Sequence, residues 1–261
     1  MGESPRWHDG VLWVCDWLAG EVLTVAADGR TDVVRRIEGL PFSVDWLADG
    51  REVYTTPTGV VAGADLAQYG GTGRPWNEIV VDPRGQVYVN MPGSMPGEEP
   101  RPGIVAVVAP GGKTRDVADD LWFPNGMAIT PDGSTLIVAE SHAHRLTAFT
   151  IAADGSLTDR RTWADLGEEA APDGICLDAE GALWYADVPN RHCRRVSEGR
   201  TELETVQVDR GCFACMLGGP DGRTLHIVAT DWEQLDWHHG GGERTGQILT
   251  YRASAPHAGR P

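Results

Sequence analysis

The hydrophobic and polar positions of the chain form short apolar runs that alternate with glycine-containing turns. Each of six turns ends in a glycine and is followed directly by a run rich in valine, leucine, isoleucine and aromatic residues. Short, evenly spaced runs bounded by turn residues are typical of β-strands, and the absence of a long 3.6-residue period excludes a doubly wound α/β fold. The turn glycines are Gly10, Gly50, Gly85, Gly133, Gly181 and Gly222, and the runs are residues 11–14, 52–55, 87–89, 136–138, 183–185 and 225–228.

The spacing of these glycines divides the chain into six units. The glycines recur at intervals of about 35 to 50 residues, which is the range of propeller and solenoid repeats. In most units a third strand-like run follows, as at residues 145–150 and 246–251. Six units of three or four antiparallel strands predict an all-β, six-bladed β-propeller, whose radial closure protects the sheet edges. We expect residues 1–261 to form this single domain.

Equivalent positions before each turn glycine mark the start of the innermost strand of each predicted blade. Four of the six positions carry a carboxylate or amide oxygen, and on a propeller they converge at one mouth of the central channel. Each residue alone has an ordinary explanation, because Asn-Gly and Asp-Gly after proline are common turn sequences. Their repetition predicts a shared site. The positions, seven or eight residues before the glycine, are Glu3, Ser43, Asn77, Asn125, Asp173 and Ala214.

The donor set of this ring predicts a site for one divalent metal ion. Two carboxylates and one or two amide oxygens, completed by water, are hard donors that suit Ca²⁺, Mg²⁺ or Mn²⁺ and also accept Zn²⁺. We take Ca²⁺ as the first choice. No histidine occupies the ring. A nucleotide cofactor is not predicted either, because the glycine-rich segments lack the order of strand, GxGxxG motif and helix that such a site needs.

The overall charge of the chain indicates which classes of partner it can bind. A net charge of −16 and a pI of about 4.8 argue against nucleic acid, because a protein that neutralises phosphates needs a basic surface. An acidic surface attracts cations to a concave site, although acidity also simply favours solubility. No apolar run approaches the roughly 18 residues of a membrane span, so we expect no membrane partner. The sequence does not predict the oligomeric state.

The five cysteines are scattered and odd in number, and the chain starts without a signal peptide. We therefore expect reduced thiols and a cytoplasmic protein. Cys212 and Cys215 have the spacing of a redox or zinc motif, but they lack a second such pair and a βαβ context. Two packing cysteines in a strand is the favoured interpretation.

Several motifs together resemble the senescence-marker-protein/gluconolactonase (regucalcin-like) family. The resemblance covers essentially the whole chain in order, and it implies a six-bladed propeller with lactone hydrolase activity. Relatives carry a further stretch before the first motif that adds a strand to the last blade. Only Met1 and Gly2 precede Glu3 here, so we expect an incomplete last blade and a Glu3 exposed to fraying. The motifs are residues 2–7, 77–78 with 81–82, 123–127, 172–175 and 212–219.

The resemblance implies roles for individual residues of the ring. Glu3, Asn125 and Asp173 would bind one divalent cation, and Asn77 would lie near the substrate. Asp173 would be the catalytic base that takes the proton of the attacking water. A cation lowers the pKa of a carboxylate that it binds directly, so a hydroxide held by the cation is the competing nucleophile.

Residues around the ring are candidates for substrate binding. Arg74 and Asn77 could hydrogen-bond sugar hydroxyls, although relatives place an arginine where this chain has Pro75. Trp122 and Phe123 directly precede the ligand-bearing stretch and could wall the mouth of the channel, against the alternative that they pack between blades.

The sequence thus predicts a metal-dependent lactonase that acts on a sugar lactone or a similar small lactone. One alternative is a propeller that binds a metal or a sugar acid without turnover. Another is a related propeller hydrolase that cleaves other esters or phosphotriesters through the same ring.

Overall fold

Six antiparallel β-sheets surround a central axis as the blades of a β-propeller, which confirms the predicted fold class. The computed structural model describes residues 1–57, 59–62, 65–67, 76–95, 97–234 and 244–259. All six turn glycines have positive φ angles, between 69° and 84°, in the left-handed region that glycine adopts without a steric penalty. The pattern that predicts the repeat therefore corresponds to one turn at the same place in every blade.

The first three blades each contain four strands in sequential order, with the first strand innermost. Blade 1 consists of β1 (Gly2–His8), β2 (Val11–Asp16), β3 (Glu21–Val25) and β4 (Thr31–Arg36). Blade 2 consists of β5 (Val44–Trp46), β6 (Glu52–Thr56), β7 (Gly59–Ala62) and β8 (Asp65–Ala67). Blade 3 consists of β9 (Ile79–Val81), β10 (Val87–Met91), β11 (Gly103–Val108) and β12 (Thr114–Leu121).

Blades 4 and 5 repeat this order, whereas blade 6 has three strands within the described part of the chain. Blade 4 consists of β13 (Pro124–Ile129), β14 (Thr135–Glu140), β15 (Arg145–Ile151) and β16 (Leu157–Asp165). Blade 5 consists of β17 (Pro172–Leu177), β18 (Leu183–Asp187), β19 (His192–Val196) and β20 (Glu202–Gln207). Blade 6 consists of β21 (Gly211–Gly218), β22 (Thr224–Thr230) and β23 (Gln247–Arg252). No helix within these ranges is long and apolar enough to span a bilayer.

The hydrophobic core is distributed over the six seams between neighbouring blades. Each seam holds its own cluster of buried side chains, and burial of this apolar surface is the main force that holds the blades together. Cys212 and Cys215 lie buried in β21 at the seam of blades 5 and 6, as packing residues of a strand. The seam of blades 6 and 1 has the smallest set of buried residues, namely Leu12, Val14, Ala214 and Val228.

Candidate functional site

The innermost strands of blades 1, 4 and 5 are each interrupted by a β-bulge, which lies at the ring residue in blades 4 and 5 and directly after it in blade 1. The pairing register shifts between Glu3 and Arg6 in β1, across Asn125 in β13, and across Asp173 in β17. A bulge inserts an extra residue that turns a side chain away from the regular alternation of the strand. The bulges thus take Asn125, Asp173 and, in β1, the residues directly after Glu3 out of the regular alternation of each strand.

The structure brings four of the predicted ring residues together. The side-chain nitrogen Nδ2 of Asn77 donates a hydrogen bond to Oδ1 of Asn125 over 3.4 Å. The backbone of Asp173 lies against Gly126, where a Cβ atom would come within 2.5 Å of the Asp173 carbonyl oxygen. Glu3 and Asp173 are close enough for their charges to interact. The predicted set of Glu3, Asn77, Asn125 and Asp173 is therefore one cluster at the axis.

Glu3 lies inside the fold although it is near the start of the chain. It pairs with Cys15 in the β1–β2 ladder, and only 6% of its surface is exposed. The amino group of Met1 forms an ion pair with Asp16 over 3.0 Å, which ties down the residues before Glu3. Contrary to the expectation of fraying, Glu3 is a buried strand residue, because both sides of it are held by β2.

The electrostatics of the cluster disfavour two negative charges without a counterion. Burial, together with the nearby Glu78 carboxylate, raises the pKa of Glu3 to about 8. Burial and the Glu3 carboxylate raise the pKa of Asp173 well above its usual range. The buried oxygen Oδ1 of Asp173 has no hydrogen-bond partner among the described residues. Buried carboxylates in such a state are expected to be protonated or to coordinate a cation.

A divalent cation fits this donor set. The described residues include no group of three or more histidine, cysteine, aspartate or glutamate side chains that could hold a metal. The ring instead offers two carboxylates and amide oxygens, which is the hard oxygen chemistry preferred by Ca²⁺ and Mg²⁺. The unpartnered oxygen of Asp173 is the observation that most directly calls for a ligand at this position.

Two of the remaining predicted residues, Trp122 and Phe123, are described by the structure. Trp122 is 36% exposed, and the ring of Phe123 lies 4.6 Å from the ring of His142. Both aromatic residues immediately precede β13, which carries Asn125. Arg74 lies outside the described residues. The structure therefore places an aromatic edge beside Asn125.

Sequence reasoning missed a buried polar network beneath Glu3 and Asn77. Glu78 accepts hydrogen bonds from Arg6 over 2.5 Å, from Ser43 over 2.6 Å and from Ser4 over 3.0 Å. We call Ser4, Arg6, Ser43 and Glu78 the clamp. All four residues are at most 6% exposed, so these bonds are shielded from water.

A second missed residue is Asn90, at the end of the second strand of blade 3. Its side-chain oxygen accepts a hydrogen bond from the Glu78 backbone nitrogen over 3.2 Å, and its Nδ2 donates to the Asn125 carbonyl oxygen. Glu140 and Asp187 end the second strands of blades 4 and 5 and accept hydrogen bonds from Trp122 N and Ala171 N, respectively. A polar residue at the end of an otherwise apolar strand is the sequence signal that could have identified Asn90, Glu140 and Asp187.

A family model described as "SMP-30/Gluconolactonase/LRE-like region" matches residues 1–231. Regucalcin of Xenopus laevis is 29% identical over 62% of this chain, and regucalcin of Gallus gallus is 28% identical over the same share. The matched part spans 57% of the length of each of these two relatives. A 6-deoxy-6-sulfogluconolactonase of Pseudomonas putida is 25% identical over 100% of this chain and 94% of its own length.

Solved structures of similar proteins have the same fold. A calcium-binding regucalcin from Agrobacterium tumefaciens superposes with a TM-score of 0.78 over 100% of this chain and 92% of its own, at 22% identity. A gluconolactonase from Xanthomonas campestris gives a TM-score of 0.70 over 87% of this chain and 82% of its own, at 24% identity. At these identities the likeness shows the propeller fold alone.

Proposed function

Because the chain belongs to the SMP-30/gluconolactonase/LRE-like family, we propose that it is a metal-dependent hydrolase that opens a sugar lactone or a similar small lactone. The observation that carries the proposal is the pair of buried carboxylates, Glu3 and Asp173, together with the Oδ1 atom of Asp173, which has no hydrogen-bond partner among the described residues. Two relatives named as gluconolactonases support the reaction class.

Glu3, Asn125 and Asp173 would hold the cation, with Ca²⁺ as the first choice and Zn²⁺, Mn²⁺ and Mg²⁺ as alternatives. When bound, the cation would polarise the lactone carbonyl and stabilise the negative charge that develops on its oxygen. Asp173 would accept the proton of the attacking water through the carboxylate oxygen that does not hold the cation.

Asn77, Arg74, Trp122 and Phe123 would bind the substrate. The Asn77 side chain already faces Asn125, so its remaining hydrogen-bonding capacity can orient a sugar hydroxyl beside the cluster. The exposed indole of Trp122 offers an apolar surface to a sugar ring. Together they would hold the lactone with its carbonyl toward Asp173, and such positioning contributes strongly to catalysis.

The test is a metal analysis combined with a panel of lactones that includes gluconolactone and 6-deoxy-6-sulfogluconolactone. We expect acid release above the spontaneous rate, its loss after chelation, and its return with one divalent metal. Full activity in metal-free protein would contradict the proposal. Metal binding without acid release would instead support a propeller that binds without turnover.

Substitutions in the ring localise the activity. Asp173→Asn and Asn125→Ala should each lower kcat/KM by at least about a hundredfold, which is the usual effect of removing a catalytic base or a ligand. Circular dichroism and thermal unfolding should show that both variants keep the fold. Wild-type turnover in both variants would exclude the ring as the active site.

A further inference from the structure

The clamp connects three blades next to the ring residues Glu3 and Asn77. Ser4 and Arg6 belong to β1 of blade 1, Ser43 precedes β5 of blade 2, and Glu78 precedes β9 of blade 3. The two oxygens of the Glu78 carboxylate accept three hydrogen bonds from these partners. A single buried carboxylate therefore fixes the relative position of three innermost strands.

The contact with Ser4 connects Glu78 to the orientation of Glu3. Ser4 occupies the bulge of β1 and has a φ angle of 47°, in the left-handed region that costs a non-glycine residue conformational energy. Such a backbone persists only where the surrounding structure holds it. Ser4 is 1% exposed, and its hydroxyl donates to Oε2 of Glu78 over 3.0 Å. Glu78 thus stabilises the local conformation that turns the Glu3 side chain toward the ring.

Arg6 compensates the buried negative charge of the Glu78 carboxylate. Its guanidinium group donates to Oε1 of Glu78 over 2.5 Å and to the Ile79 carbonyl oxygen over 2.7 Å. A buried carboxylate is stable only when its charge is paired and its oxygens are hydrogen-bonded, and both conditions are met here. The same arginine bonds the backbone directly after Glu78, which fixes the segment that carries Asn77.

We propose that Glu78 is a positioning residue, which acts through Ser4 and Arg6 to hold Glu3 and Asn77 in the geometry that binds the divalent cation. This inference rests on the proposed function, because it requires a cation at the ring. Groups that orient metal ligands commonly change metal affinity by 10- to 100-fold when removed. Glu78 itself touches neither the substrate nor the reacting atoms in this role.

The test is calorimetric titration of the intact chain with Ca²⁺. We expect Glu78→Gln to weaken Ca²⁺ binding about tenfold or more. This variant also removes a negative charge near the ring, so Ser4→Ala serves as the second variant. It removes one hydrogen bond and leaves every charge in place. Weaker Ca²⁺ binding by Ser4→Ala therefore reports lost positioning rather than lost electrostatic attraction.

The chain offers a matched control in the ion pair of Asp178 with Arg195. The two atoms are 2.7 Å apart, and the side chains are 0% and 7% exposed, compared with 8% and 6% for Glu78 and Arg6. Asp178 directly follows the end of β17, whereas Asp173 lies near its start. Asp178→Asn should lower thermal stability as Glu78→Gln does, while leaving the Kd for Ca²⁺ unchanged.

The outcomes separate the two levels of inference. If the wild-type chain binds no Ca²⁺ or other divalent ion, both the positioning role and the metal-dependent function are wrong. If the wild type binds and both Glu78→Gln and Ser4→Ala bind equally well, only the positioning role is wrong. If Asp178→Asn weakens binding as strongly as Ser4→Ala, the effect of the clamp is general destabilisation and the positioning role is again wrong.

Discussion

The two sides of the ring hold their ligands by different physical means. On the side of blades 1 to 3, Glu3 and Asn77 depend on the clamp, a buried network of charges and hydroxyl groups. On the side of blades 4 and 5, Asn125 and Asp173 are each followed by a glycine whose missing side chain lets the next blade approach. Ser4 and Glu78 of the clamp directly follow Glu3 and Asn77, at the place where a glycine follows Asn125 and Asp173.

This difference shows that equivalent positions of a repeated fold can be held in place by different interactions. Close backbone packing is rigid and short-ranged, because any added atom must displace a neighbouring backbone. A hydrogen-bonded clamp tolerates a larger residue but depends on every partner being present. The first side should weaken when any one hydrogen bond of the clamp is removed, whereas the second should be disrupted by a single added methyl group.

The largest effect is expected for Gly126→Ala. The new Cβ atom would lie 2.5 Å from the Asp173 carbonyl oxygen and 2.7 Å from the Ile175 nitrogen, so the backbone of blade 5 must shift. Urea denaturation should show a loss of about 1–3 kcal/mol, as for other overpacked sites. Calorimetry should show that Ca²⁺ binding is lost.

The control is Gly111→Ala, because a Cβ atom at Gly111 meets nothing within 4 Å. It should leave both the stability and the Kd for Ca²⁺ unchanged. If Gly126→Ala behaves like this control, the backbone packing beside Asn125 and Asp173 is not rigid, and the two sides of the ring do not hold their residues by different means.

A smaller effect is expected for Asn90→Ala, which removes the connection between the two sides. The Asn90 side chain bonds both the Glu78 nitrogen and the Asn125 carbonyl oxygen, and it is completely buried. Two buried backbone groups would lose their partners, at a cost of about 2 kcal/mol in the free energy of unfolding. A double-mutant cycle with Glu78→Gln should give a coupling energy above about 0.5 kcal/mol. Strict additivity would show that the two sides are independent.

The smallest effect is expected at the seam of blades 6 and 1, away from both sides of the ring. There the ring of His226 stacks on Trp7 with centroids 5.6 Å apart, and burial lowers the pKa of His226 to about 4. The folded state therefore binds the proton less readily than the unfolded state. Stability is fully present above about pH 6.5 and is lost as the pH falls toward 4.

The expected loss is about 1–2 kcal/mol at pH 4.5, after allowance for solvent screening of this partly exposed ring. Thermal unfolding between pH 7 and pH 4.5 should detect it in the wild type, and His226→Gln should show a smaller decrease. An equal decrease in both proteins would place the acid-sensitive part of the fold elsewhere.

Much of the fold could be predicted from the sequence, because a turn with a positive φ angle demands glycine wherever it recurs. The six glycines locate the hairpins, and counting back from them reaches Asn77, Asn125 and Asp173. The count differs for Glu3, where the turn is shorter. Periodicity therefore predicts which residues begin each blade, within the variation that turn length introduces.

The clamp could not be predicted in this way, because its bonds join distant parts of the chain. Arg6 and Glu78 are separated by 72 positions, and Ser43 and Glu78 by 35. Taken alone, each of these residues resembles an ordinary strand-end polar residue. Only the geometry of three converging blades shows that their side chains meet at one carboxylate. The metal-binding, catalytic and substrate-binding roles of the ring residues remain predictions.

The seam of blades 6 and 1 differs from the other five in covalent terms. Successive blades are connected by the chain itself, whereas within the described residues the last and first blades meet through packing contacts such as that of Val14 with Val228. Glu3 stands on one side of this junction, and Asp173 lies in blade 5, beyond blade 6 on the other side. A ligand bound by both Glu3 and Asp173 would link the two sides of this seam reversibly. The lifetime of the closed ring would then depend on the free concentration of that ligand.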